Sequence, residues 1–243
     1  MVFSIIDAMT DGFSRTIERN GLVFVAVFVV LALLNALVVS VGFGSAADTS
    51  PVSALVGAVS GLLSIALGLV MIATAVIALR TFASDETETI PREFRSRKIA
   101  FATLNVFVGT FVFALLVAVG SVFLLVPGLF LLVSLYYWTV FVAVEDENFV
   151  RAFRSSWTLT SGSRLRLFGL GVAVLVAGLA VNGAAALPAV LLGDAAGFVL
   201  AQLVAAVVTV YTVATTARAY DQLRGLEHPP DAEPQPGSAG TPA

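Results

Sequence analysis

All thirteen basic residues of this chain can be placed on one side of a membrane. They are Arg15, Arg19, Arg80, Arg92, Arg95, Arg97, Lys98, Arg151, Arg154, Arg164, Arg166, Arg218 and Arg224. Between them run three apolar stretches without Lys or Arg, roughly 21–79, 99–150 and 167–217. One crossing of a bilayer takes about 20 residues, so each stretch is long enough to cross out and back. The far-side connections then hold no base and two acids, Asp48 and Asp194. Lys and Arg concentrate in cytoplasmic loops, so the pattern predicts six transmembrane helices in the cell (plasma) membrane with both termini cytoplasmic.

Apolar residues make up 58% of the chain and charged residues 12%. A soluble domain has about 25% charged residues, so this surface is expected to face lipid. With no Cys there is no disulfide, thiolate nucleophile or thiolate metal site. One Lys among the thirteen bases, with abundant Ala and Val, points to a GC-rich genome of the halophilic archaeal kind. The small-residue run Ser45-Ala46-Ala47 resembles a signal-peptide cleavage site. The apolar run before it, about 20 residues, exceeds the ~7–15 of a signal core, so a retained helix is expected.

Residues 1–20 read as an amphipathic helix in the inner interface. Val2, Ile6, Met9, Phe13 and Ile17 fall on one side, and Asp7, Asp11, Arg15 and Glu18 on the other. The six-helix domain follows over 21–220, with helices expected near 21–41, 52–79, 165–187 and 196–217. In helix 2, Gly57 and Gly61 have GxxxG spacing beside a second row, Ser60, Ser64 and Gly68. Small residues four apart let helices approach closely, within the chain or between two copies. The charge-free stretch 99–144 must turn near either Gly120 or Pro127. A second interfacial segment covers 147–162, with Phe149, Phe153 and Trp157 as its lipid-facing stripe and Arg151 and Arg154 facing away. Residues 221–243 form a Pro-rich acidic tail expected to be disordered. The chain's two ends also match at an offset of 144, which pairs Ala8 with Ala152, Phe13 with Trp157 and Thr16 with Thr160. A duplication flanking the third and fourth helices is one explanation.

The stretch from Val126 to Leu170 carries the most specific pattern. It has Pro127-Gly128 near a helix start and the acids Glu145-Asp146 at its end. An A-x-x-x-S-W-x-L-T-x-G element then runs through Ala152, Ser156, Trp157, Thr160 and Gly162 to the basic Arg164. This resembles a membrane-domain family, one branch of which is attached to glycerophosphoryl diester phosphodiesterases; other members are stand-alone archaeal and bacterial proteins of unknown function. The resemblance implies a membrane module. A catalytic barrel takes about 250 residues, and none is expected beside these helices.

Little chemistry can be assembled. The sole His, His228, lies in the tail, and no metal or cofactor site emerges. The acids Asp85-Glu86-Glu88 and Glu145-Asp146-Glu147 lie beside inner loops and are expected to be solvated. The buried amides Asn35, Asn105, Asn182 and Gln202 should bond between helices. A non-catalytic module that binds membrane lipids, or a membrane or cytoplasmic protein, through its inner basic face is therefore expected, with no nucleic acid and no cofactor. The alternative is a permease or exporter for an uncharged or amphiphilic solute. The candidate lipid-headgroup residues are Arg151, Arg154, Trp157, Arg164 and Arg166. Four cations beside an anionic leaflet are worth about 1 kcal/mol each.

The topology has a direct test, since no native Cys interferes. Single Cys substitutions at Asp48 and Asp194 should react with an impermeant thiol reagent added to intact cells. Those at Ser84 and Ser161 should stay unlabelled; labelling there would overturn the arrangement.

Overall fold

The structure is a computed structural model that describes residues 3–45, 50–84, 89–123 and 125–227. Asp48, the run Asp85-Glu86-Glu88, His228 and most of the tail lie outside the described residues. The described chain is helical: α1 (Ile5–Ile17), α2 (Arg19–Ser45), α3 (Pro51–Phe82), α4 (Arg92–Ser96), α5 (Ile99–Phe123), α6 (Leu125–Leu135), α7 (Trp138–Val144), α8 (Phe149–Thr160), α9 (Arg164–Leu191) and α10 (Asp194–Glu227). Six helices are long and apolar enough to cross a membrane: α2, α3, α5, the α6–α7 pair, α9 and α10.

The helices alternate in direction, so the Arg-bearing connections gather at one end of the bundle, called here the basic end. Three hairpins result: α2 with α3, α5 with α6–α7, and α9 with α10. The returning helices α3, α7 and α10 pack against one another and form the centre. A short helix precedes each hairpin and packs on the returning helix of the hairpin before it. Thus α4 lies on α3, α8 on α6 and α7, and α1 on α10, which closes a ring. The matched ends of the sequence are two of these three units. Ala8 and Ala152 are fully buried, Thr16 and Thr160 are buried, and Phe13 and Trp157 are exposed. The correspondence ends at Phe24, which is buried, against Phe168, which is 40% exposed.

Several sequence expectations are corrected. Helix α5 ends at Phe123 and α6 begins at Leu125, beyond Gly120, which leaves Pro127 in the first turn of α6, where its missing N–H removes no helical bond. Gly128 is needed at the crossing with α5, because a Cβ there would meet Ser121 N at 2.8 Å. Pro188 does not end α9, which runs on to Leu191. The last helix continues well past 217, since its final turns pack on α1. In α3 it is Ser60 and Ser64 that meet α2, at Gly42 and Asn35, while Gly61 and Gly68 face open space. Asn35 bonds between helices as expected, accepting from Ser64 Oγ at 2.7 Å. Asn182 instead donates to Gly178 O of its own helix.

The stripe of α8 is turned from its expected direction. Phe149 and Phe153 are partly buried and face the bundle, where the Phe153 ring meets Trp138 edge-on at 5.2 Å. Gly109 of α5 makes room for this cluster. A Cβ there would run into the Trp138 ring and lie 2.9 Å from Phe149 Cβ. Overpacking of this kind costs about 1–3 kcal/mol. Gly109→Leu should therefore lower the thermal unfolding midpoint of the purified protein in detergent, while Gly61→Leu, into open space, should leave it unchanged.

Candidate functional site

The four residues Glu145 to Asn148 end one hairpin and start the next unit, and together they tie the chain to three helices. Glu145 accepts a hydrogen bond from Tyr220 Oη at 2.5 Å and pairs with Arg224, both on α10. Asp146 accepts from Arg80 Nη2 at 3.0 Å, which fastens α3. Glu147 accepts from Ser155 Oγ of α8 at 2.9 Å. Asn148 caps α8, its side chain accepting from Arg151 N at 2.9 Å. The acids expected to be solvated are thus structural links at the centre of the basic end. Asp146 adopts φ 54, a left-handed conformation that Asp tolerates better than most residues.

Arg80 is the densest link. Its side chain is 2% exposed. Nε donates to Ala143 O at 2.6 Å, Nη1 to Phe94 O and Arg97 O at 3.0 and 2.7 Å, and Nη2 to Asp146. One guanidinium therefore joins the end of α3, the middle and C-cap of α4 and the end of α7. Arg97 adds a bond from Nη2 to Val144 O at 2.8 Å. Its Nε lies 3.1 Å from Asp146 Oδ2 but lacks hydrogen-bond alignment, so that contact is coulombic only.

The motif element of α8 has a second structural task. The helix path through α6 and α7 is broken at Tyr136 and Tyr137. A break frees backbone groups that lipid cannot satisfy. Ser156 Oγ donates to Ser134 O at 3.0 Å and accepts from Tyr137 N at 3.2 Å; Thr160 Oγ1 reaches the same carbonyl at 3.2 Å. Ser156 and Thr160 are fully buried, and Ala152 lets the helices come this close. Gly162 takes φ +88, which ends α8 where a residue with a side chain would be strained. Sequence reading singled these residues out without seeing the break, because Tyr and Trp carry no breaker signal.

The five candidate headgroup residues separate into two environments. Arg151, Arg154 and Trp157 share the exposed face of α8, with Trp157 41% exposed. Arg164, at the start of α9, places its guanidinium 4.7 Å from the ring centroids of both Phe130 and Trp157. Cation–π contact of this kind is worth about 0.5–2 kcal/mol. Arg166 is exposed two residues further on. Among the described residues, Arg151, Arg154 and Arg166 have no acidic partner within ion-pair distance, and the sequence has no acid between Glu147 and Asp194. Among the described residues no group of three or more His, Asp or Glu could hold a metal.

This architecture is that of an all-helical domain with six helices able to span a membrane. The chain belongs to the family described as a domain of unknown function, DUF7847, whose pattern matches residues 3–223 and so takes in α1 through nearly all of α10. Neither the curated proteins nor the solved structures compared with it contain a match.

Removing one partner of a buried charge pair costs about 3–5 kcal/mol, whereas an exposed substitution stays within about 0.5 kcal/mol. Arg80→Gln should therefore destabilise the protein strongly in denaturant or thermal unfolding, and Arg151→Gln should not. The pair Arg80→Met with Asp146→Asn should recover part of the loss, since it leaves no carboxylate without Arg80 and Asn tolerates the left-handed φ.

Proposed function

We propose that this protein is a non-catalytic multi-pass membrane module that binds anionic lipid at its basic face, in the orientation that puts both termini in the cytoplasm. The observation that carries this reading is the exposed face of α8 with the start of α9. It combines a half-exposed Trp157 with Arg151, Arg154, Arg164 and Arg166, in a stretch without acids. Trp prefers the headgroup level of a bilayer, and Arg can grip a phosphate with two parallel hydrogen bonds. The other Arg residues with assigned partners, Arg15, Arg80, Arg97, Arg218 and Arg224, are taken up by internal acids, so they have less to offer a ligand. Within this reading α1 and α8 lie at the inner interface. The resemblance to membrane domains of glycerophosphoryl diester phosphodiesterases and the archaeal source belong to the same proposal.

The expected outcome of Arg151→Gln with Arg154→Gln is less co-purified anionic lipid with topology retained by the remaining bases. Unchanged lipid content would leave these two residues only a topological part. Purified protein should not turn over glycerophosphodiesters or phospholipids. Turnover that disappears in Glu145→Ala would instead make it an enzyme. The second reading, a permease for an amphiphilic solute, draws on a cavity beside α9, and flux in proteoliposomes separates the two.

A further inference from the structure

The ring of units has one loose seam. Helix α9 packs along α10 but meets α6 sparsely, and between the three helices lies a cavity of about 620 Å³. Along α9 it extends from Leu167 to Asn182. At 1.5 Å per residue that is a slot about 22 Å long. One leaflet of a ~30 Å hydrocarbon core is about 15 Å deep, so the slot is long enough for a single lipid chain. Its walls are mostly apolar, with Leu132, Leu175 and Leu179 among them. The polar groups are few and mostly satisfied. Thr216 Oγ1 donates to Thr212 O at 2.7 Å, so Tyr136 Oη, 3.2 Å away, donates to Thr216. A pocket of this character rejects an ion and accepts hydrocarbon.

Charge is confined to one end. Arg164 lies one turn before Leu167, held over Phe130 and Trp157, and its Nε is buried without a hydrogen-bond partner. Arg166 follows, exposed. An apolar slot with a guanidinium one turn beyond its wall, and a second exposed nearby in sequence, is complementary to an anionic amphiphile. We infer that the slot between α6, α9 and α10 holds one hydrocarbon chain of a phosphate-bearing membrane lipid, whose headgroup is met by Arg164 and Arg166. This rests on the lipid-binding reading above and adds the ligand class and the place of its chain.

Gly171 offers a clean way to close the slot. It lines the cavity, and a Cβ built there meets nothing within 4 Å. Gly171→Phe should fill the space without displacing backbone. Gly183, on the same helix, is equally open but does not line the cavity, so Gly183→Phe is the control. The probe is a phosphatidylglycerol with a photoreactive diazirine in mid-chain, in phosphatidylcholine vesicles holding the full-length protein. Crosslinked peptides are mapped by mass spectrometry.

Crosslinks should concentrate on the slot-facing residues of α6, α9 and α10. They should fall to the level of the other helices in Gly171→Phe and persist in Gly183→Phe. Crosslinks spread evenly over all helices, or unaltered by Gly171→Phe, would overturn the inference. Displacement by excess glycerol phosphate would overturn it as well, because the head alone would then be recognised. The Arg151→Gln, Arg154→Gln protein separates the two proposals. Loss of total bound lipid reports on the α8 face, whereas the crosslink map reports on the slot.

Discussion

A guanidinium removed from water at one end of a helix bundle is stable only if its charge is matched and its donors are taken up. Arg80 meets both conditions, and nearly everything at the basic end follows from how it does so. Its carboxylate partner, Asp146, must sit directly against the end of α3, so α7 has to stop there. The three backbone carbonyls it binds hold the α4 turn and the end of α7 in fixed positions. Because Asp146 is committed to α3, its neighbours Glu145 and Glu147 are left to face α10 and α8. One short acidic segment thereby sets the mutual placement of the three central helices and the start of the third unit.

Much of the architecture was legible in the sequence because it depends on a coarse property. The alternation of charge-free stretches with Arg-bearing connections is robust to details of packing, and six long apolar helices answer it. Boundaries were less legible. Pro188 reads as a stop, yet a proline near the end of a helix forfeits only one bond, and α9 tolerates it. The end of α10 was placed too early because its last turns look polar. They are helical through their contacts with α1, a partner from the other end of the chain.

The candidate site was legible in its residue types and not in their roles. The motif from Ala152 to Gly162 stands out in the sequence, but its part in the fold depends on the break after Leu135, which no local signal announces. The acids at 145–147 look like ordinary loop carboxylates, since nothing in a linear sequence tells that Arg80 and Tyr220 will arrive beside them. The unit that α4 begins also escaped notice, for α4 spans Arg92 to Ser96 and has no apolar stripe to match those of α1 and α8. Trp157 and Arg164 were named together as headgroup residues; their shared stacking with Phe130 needed three dimensions.

The docking of α1 on α10 bears on how the chain is made. Gly12 of α1 fits against Thr215, whose Cα would lie 2.8 Å from a Cβ there, and Phe3 is buried in the same core. The surface that receives the first helix therefore belongs to the last one. A ribosome finishes α1 long before it starts α10, so α1 waits without its seat while α2 to α9 are made. The docking of α1 closes the ring, and the bundle cannot be completed before α10 has been synthesised.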